Sequence, residues 1–375
     1  MNIKMVDLHT QYLRIKPEID QAIQQVLTST AFIQGPEVQE FAQALASYTG
    51  SKFVIPCANG TDALQIAMMA LGFRPGDEVI LPVFTYVATA EVIALLGLTP
   101  VFVDVDAATF NINVDQLEAK ITGKTVAIVP VHLYGQCADM EPILNLASKY
   151  SLAVIEDAAQ SLSADYSFQN GDKKKAGTMG TIGTTSFFPS KNLGCFGDGG
   201  AVFTNDARLA EKIRMIANHG QKVKYYHEVI GCNSRLDTLQ AAILNVKLKH
   251  LNDYSTRRMD AGAYYDNALS GIPELELPFR ASNSTHVFHQ YTVKIKNGKR
   301  DAFREYLSGE GIPTMIYYPV PLHLQNAFKS PGIEEGAYPI SENLSKVVIS
   351  LPIHTEMDAD QLEFICSKIK QYFSS

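Results

Sequence analysis

The sequence predicts an α/β fold in two parts: a large domain over residues 1–245 built on a mostly parallel central sheet, and a smaller α+β domain over residues 246–375. Three observations predict it. From about residue 52 to 205, short β-branched runs alternate with segments of helical period, as in a sheet whose strands are joined by helices. After about residue 245 that alternation gives way to a polar helix, a Pro/Gly/Ser-rich loop and a mixed strand and helix tail. The chain of 375 residues is also long enough for two domains at about 150 residues each.

Taken in order, residues 1–35 precede the first strand and are free to pack against either domain. Strands are expected at Lys52–Cys57, Glu78–Leu81, Pro100–Val105, Val126–His132, Leu152–Glu156, Thr184–Phe188 and Ala201–Thr204. Each is a short apolar run bounded by turn residues. Between them the periodicity predicts helices at Asp62–Leu71, Thr89–Leu96, Val114–Ile121, Met140–Tyr150 and Ala207–Ile216. Thr61 or Asp62 and Asp206 are suited to N-caps, and Gly72 to a C-cap. A long polar helix should run from Leu236 to about Leu269. Strand His286–Ile295, helix Asp301–Glu310, strand Pro313–Tyr318 and helix Ala359–Phe373 complete the small domain. Ser167–Lys175 reads as an exposed hairpin with a solvated lysine tip.

Composition narrows the function. With 46% apolar and 19% charged residues, the chain is an ordinary globular protein and not a disordered one. Its 32 Lys and Arg against 39 Asp and Glu leave a net charge of −7. That balance argues against broad binding to nucleic acid or to an anionic membrane face, so any phosphate must be held locally. The most apolar stretch, Val92–Val103, is broken by Gly97 and Pro100 and is too short to span a bilayer. The start, Met1 to Asp7, lacks the features of a secretory leader, and a cytoplasmic protein is expected. Five scattered cysteines without a Cys-x-x-Cys pair suit reduced thiols better than a metal or redox motif. His286 and His289 should fall on opposite faces of one strand, which argues against a metal there.

In a parallel sheet, ligands bind beyond the carboxyl ends of the strands, and five polar clusters fall at such ends. Asn59-Gly60-Thr61-Asp62 is a turn opening a helix, suited to a phosphate and equally explained as a simple cap. Thr85-Tyr86 places an aromatic ring at the mouth of the sheet, where it stacks on a planar ligand or packs in the core. Glu156-Asp157-Ala158-Ala159-Gln160 ends an apolar strand with carboxylates and an amide. Ser186 to Gly194, with Lys191 at its centre, puts a lysine between an apolar strand and a glycine-rich turn. That setting lowers an amine's pKa and suits a Schiff base, although an exposed loop lysine has the same neighbours. Gly231-Cys232-Asn233-Ser234-Arg235 opens a long helix. Together these supply an amine for an imine, an acid and an amide for a heteroaromatic ring, a stacking partner and phosphate donors, the set that pyridoxal phosphate requires.

These residues resemble a known family. Asn59-Gly60-Thr61, Pro82-x-x-Thr85-Tyr86-x-Ala88-Thr89, Glu156-Asp157-Ala158-Ala159-Gln160, Ser186-Phe187-x-Pro189-x-Lys191 and Gly231-x-Asn233-x-Arg235 are similar to the DegT/DnrJ/EryC1/StrS nucleotide-sugar aminotransferases, over essentially the whole chain. The resemblance implies a pyridoxal-phosphate-dependent transferase of fold type I, like aspartate aminotransferase, acting as a homodimer with shared active sites. It implies that Lys191 forms the internal aldimine and shuttles the proton. Asp157 is expected at the pyridinium nitrogen, Gln160 near the ring hydroxyl and Tyr86 stacked on the ring. Gly60, Thr61 and Ser186 would hold the phosphate, with Asn233 reaching it from the other subunit. Arg235, Tyr318 and His323 are the expected substrate contacts, though Arg235 also suits an interface salt bridge.

A histidine at position 191 would mark a dehydratase, whereas the lysine marks transamination, with glutamate as amino donor. The strings around Tyr225-Tyr226-His227, Asn233–Ala242 and Phe187–Gly194 look most like the branch acting on UDP-2-acetamido-2-deoxy-3-oxo-glucuronate, which aminates C3 for O-antigen or related glycans. The 4-keto and dTDP-3-keto sugar enzymes share most of these motifs. A pyridoxal-phosphate-binding regulator without turnover is the rival of a different class. A dinucleotide-binding oxidoreductase would require Gly-x-Gly-x-x-Gly where this chain has Cys57-Ala-Asn-Gly-Thr-Asp62.

Overall fold

The computed structural model describes residues 2–329 and 333–374. In chain order its elements are helices α1 (Leu8–Arg14), α2 (Lys16–Ser29) and α3 (Pro36–Thr49), then β1 (Phe53–Cys57), α4 (Gly60–Leu71), β2 (Glu78–Pro82), α5 (Ala88–Leu95), β3 (Thr99–Val103), β4 (Thr125–Ile128), α6 (Met140–Tyr150) and β5 (Ala153–Asp157). The hairpin β6 (Asp165–Ser167) and β7 (Lys173–Lys175) follows, then β8 (Ile182–Ser186), β9 (Gly200–Thr204), α7 (Ala207–Ala217), β10 (Gln221–Val223), β11 (Tyr226–His227), α8 (Thr238–Leu248) and α9 (Leu251–Leu269). The chain ends with β12 (Leu275–Glu276), β13 (Tyr291–Ile295), α10 (Arg300–Gly309), α11 (Pro339–Val347), β14 (Val348–Leu351) and α12 (Ala359–Ser374).

Seven strands form the main sheet in the order β1-β9-β8-β5-β4-β2-β3. Pairings are parallel from β8 through β5, β4 and β2 to β3, and β9 runs against both β8 and β1. The near-continuous apolar strands follow from burial on both faces. Val79, Leu81, Ala127, Ile155 and Val202 face a core shared with α4, α5 and α7. Their neighbours Ile80, Ile128 and Val154 face the α6 side, while Ala201 and Phe203 face α3 and α8. This period of two is the pleat itself. A second core, around the antiparallel β12-β13-β14 sheet, joins Tyr265 of α9, Phe303 of α10 and Ile365 of α12.

The expected division after residue 245 falls within α8. The amino-terminal segment packs on both parts: Ile3 joins the second core, Gln11 donates to Thr355 at 3.0 Å, and α2 and α3 lie on α8.

Several elements differ from expectation. The residue capping α4 is Asn59, whose side chain accepts the Asp62 N–H at 2.8 Å, and not Thr61 or Asp62. Asp206 and Gly72 (φ 78°) cap as expected. Residues 114–121 form two short 3-10 turns instead of an α-helix. Strand β4 ends at Ile128, two residues before Pro130, which has no N–H for the ladder. The long polar helix is two helices, broken at Lys249 and His250. Only Tyr291–Ile295 of the segment 286–295 is strand, because Phe288 takes a left-handed φ of 45°. Residues 313–318 form no strand and contribute one isolated bridge, Met315 to Ser350.

Candidate active site

Because β1, β2, β5 and β8 share one direction, their carboxyl ends, Cys57, Pro82, Asp157 and Ser186, open along one edge. The turns after these strands carry four of the five polar clusters. Gly200, the first residue of β9, pairs with both Cys57 and Ser186 and ties the first turn to the fourth.

At that tie the backbone is too close for side chains. A Cβ on Gly60 would lie 2.7 Å from the Cβ of Ser186, and one on Gly200 would lie 2.4 Å from the Asn59 carbonyl. The start of α4 is thereby pressed against the end of β8. The first-turn N–H groups at Gly60 and Thr61 have no intrahelical acceptors, as at any helix start, and Gly60 packs against Ser186.

At the end of β5, two adjacent carboxylates have opposite surroundings. Glu156 is fully buried, and its oxygens accept the N–H groups of Gly177, Met179 and Gly180. It also accepts from His132 at 2.8 Å. Since His132 Nδ1 accepts the Ala138 N–H at 3.1 Å, Nε2 carries the proton and is the donor. Glu156 is thus committed to holding the 177–180 turn. Asp157 lies on the other side of the pleat and, among the described residues, its carboxylate receives the Thr89 hydroxyl at 2.8 Å and the Ala159 N–H at 3.1 Å.

Gln160 bridges a backbone N–H and a side-chain hydroxyl. Its carbonyl accepts the Tyr134 N–H at 2.8 Å and its amide donates to the Tyr318 hydroxyl at 3.1 Å. Tyr318 lies with its ring 6.4 Å from that of Tyr86, which is 59% exposed at the mouth of the edge. Burial pushes the Tyr318 phenol well up, so it remains protonated. Lys191 is half-buried in the turn after β8, and burial pushes its amine down from 10.5 to about 8, against the opposing pull of the Asp157 charge. Next to Tyr86 and Lys191 in the chain, the buried Thr85 hydroxyl and the Asn192 side-chain amide oxygen have no hydrogen-bond partner among the described residues. Such orphaned groups mark where a bound molecule or water completes the structure.

The remaining expected residues lie elsewhere. Asn233 is exposed, and Arg235 lines a groove of about 340 Å³ with Gln34, Arg214 and Lys222. Arg235 donates to Asn218 at 3.1 Å. The same segment touches the turn before α4 through Ser234, whose hydroxyl accepts the Ala58 N–H at 3.1 Å. His323 is 1% exposed, with Nε2 3.0 Å from Glu342, a carboxylate that also accepts the Gly336 and Tyr338 N–H groups. In this single chain His323 ties the turn at Leu322–Leu324 to Glu342 of α11.

A lysine with a lowered pKa beside a carboxylate, an amide and a helix start is the geometry expected of a pyridoxal phosphate enzyme, and the relatives agree. The DegT/DnrJ/EryC1/StrS aminotransferase family matches residues 13–370. The chain belongs to that family. It is 48% identical over 375 residues to the "Pleiotropic regulatory protein" of Geobacillus stearothermophilus, covering 100% of this chain and 99% of that one. It is 48% identical over 367 residues to the UDP-2-acetamido-2-deoxy-3-oxo-D-glucuronate aminotransferase of Pseudomonas aeruginosa, covering 98% and 99%. The solved structure of S. venezuelae DesV in complex with ketimine intermediate superimposes with a TM-score of 0.95 at 39% identity, covering 100% of this chain and 99% of that one.

This aminotransferase is therefore a pyridoxal-phosphate-dependent enzyme with the type I fold. The residues present fit the cofactor. The close-packed tie between α4 and β8 offers first-turn N–H donors for a phosphate, Asp157 keeps lone pairs free for a ring N–H, and Lys191 offers an amine that loses its proton near pH 8. Sequence reasoning did not single out His132, Glu156 and Tyr134 as the frame of this edge. His132 and Glu156 are 24 positions apart and meet only in the fold.

Proposed function

We propose that this aminotransferase moves an amino group from glutamate to the 3-keto carbon of a nucleotide-linked sugar, with UDP-2-acetamido-2-deoxy-3-oxo-glucuronate as the preferred acceptor. The observation that carries the aminotransfer is the convergence of Lys191, Asp157, Gln160 and the Gly60–Thr61 turn on one sheet edge. The 48% identity to the Pseudomonas aeruginosa enzyme supports the choice of acceptor. When bound, pyridoxal phosphate supplies an electron sink for breaking a C–H bond.

The chain's own residues do the rest. Lys191 would hold the cofactor through its amine and, once released, would carry a proton to and from the substrate carbon. Asp157 would meet the ring nitrogen, Gln160 the ring hydroxyl and Tyr86 the ring face. Gly60, Thr61 and Ser186 would hold the phosphate. Tyr318, held by Gln160 and still protonated, donates its hydroxyl proton toward the substrate.

We also propose a homodimer in which Asn233 and Arg235 of each subunit complete the other's site. Large apolar side chains exposed on the single chain support this: Tyr86 at 59% and Phe188 at 52% beside the site, and Tyr225, Tyr226 and Ile230 on and after the β10-β11 hairpin. Arg235 would then meet a carboxylate or diphosphate of the acceptor. Amination of such a uronate serves O-antigen or related surface glycans, and the cytoplasm is where this role would place the enzyme.

The test is turnover with glutamate and a panel of UDP- and dTDP-linked keto sugars, read by mass spectrometry of the amino sugar. The uronate should be favoured in kcat/KM by at least about tenfold over its neutral counterpart. Arg235→Ala should remove that preference if the arginine meets the carboxylate. Faster turnover of a dTDP-3-keto or 4-keto hexose would reassign the acceptor. Binding without any 2-oxoglutarate release would favour a regulator, the role in the Geobacillus relative's name.

A further inference from the structure

We infer that Thr89 is a positioning residue for the cofactor's ring nitrogen, acting through Asp157. This inference rests on the reading that Asp157 faces that nitrogen. Thr89 is the second residue of α5, is 1% exposed, and donates its hydroxyl to Asp157 Oδ2 at 2.8 Å. That bond crosses from the start of α5 to the end of β5, 68 positions along the chain.

The second anchor comes from a different element. Asp157 Oδ1 accepts the Ala159 N–H at 3.1 Å. Each carboxylate oxygen thus receives one donor, Oδ2 from a helix and Oδ1 from the strand's own turn, which fixes the plane of the group. Lone pairs remain for one more strong contact. The neighbouring Glu156 is the internal contrast, since four donors occupy its oxygens and it has no such role. A carboxylate held at only one oxygen can rotate about its Cβ–Cγ bond, and its hydrogen bond to a ring N–H then loses linearity and strength. The β-branched Thr89, stiff at χ1, prevents this rotation.

The prediction separates positioning from mere packing. Thr89→Val keeps the shape and removes the donor, so the apoenzyme should bind pyridoxal phosphate about tenfold more weakly. Its affinity for 1-deazapyridoxal phosphate, in which a C–H replaces the ring nitrogen, should stay within about twofold of the unmodified protein's, because that ligand has no nitrogen for Asp157 to meet. Thr89→Ser should restore the preference. Thr89→Ala, with no methyl set against the carboxylate, should repeat the valine result if the valine chain folds poorly. Equal loss with both ligands, or no loss with either, overturns the inference while leaving Asp157 in place. If Asp157→Ala also leaves the ratio of the two affinities unchanged, the underlying reading of Asp157 fails as well.

Discussion

Lys191→Ala is expected to abolish both the visible absorbance of lysine-bound cofactor and all transamination, while the apoprotein remains folded. The amine occupies a site that disfavours its charge, as its fall from 10.5 to about 8 records. Losing it breaks no side-chain hydrogen bond among the described residues, and Asp157 keeps its two donors, so the thermal midpoint of the apoprotein should not drop. The same shift sets a pH profile. Below about pH 8 most Lys191 amine is protonated and cannot attack an aldehyde, so capture of pyridoxal phosphate by apoprotein should speed up about tenfold per pH unit and then level off near pH 8. A lysine of ordinary pKa would keep accelerating to beyond pH 10. Stopped-flow absorbance distinguishes the two. Wild-type turnover by the alanine variant would remove Lys191 from the chemistry altogether.

Asp157→Ala should still let Lys191 capture the cofactor, though with weaker affinity, and slow the glutamate half-reaction by on the order of 10²–10⁴. Lys191 and the Gly60–Ser186 cradle do not depend on this carboxylate for their placement, since the cradle is fixed by backbone contact with β9 and the lysine by the turn after β8. On the proposed reading, what would be lost is the charge that keeps the ring nitrogen protonated, and with it the stabilisation of electrons released at the substrate carbon. Rapid-mixing kinetics with glutamate measure this directly. Near-normal rates would show that the end of β5 plays no electronic part.

Much of this site is readable from the chain because its parts are local. A phosphate turn needs a glycine and a helix start within three residues, Asn59 to Thr61. The lysine needs an apolar strand before it and a tight turn after it, Thr184 to Gly194. Strand ends in a parallel sheet then bring such fragments to one edge by topology alone. What the sequence hides depends on partners far along the chain. Helix α11 has no side-chain cap from its adjoining residue. Its Ile340 and Ser341 N–H groups are met by Asp104, more than 230 positions earlier, so residues 339–351 give little local sign of a helix and strand. The break between α8 and α9 occurs at Lys249 and His250 without glycine or proline, and periodicity passes over it. Similarly, Glu156 and Asp157 are adjacent and chemically alike, and only the pleat and the 177–180 turn reveal which one is occupied. His323 follows the family pattern in sequence, yet in the single chain it is held by Glu342 inside the fold.

The most direct test of the account is a visible spectrum of the purified protein, reconstituted with pyridoxal phosphate, before and after adding glutamate. The account predicts a band from the lysine-bound cofactor that glutamate converts to the pyridoxamine form, with one 2-oxoglutarate released per site. A protein that shows no band on reconstitution, or whose band glutamate leaves unchanged, would contradict it.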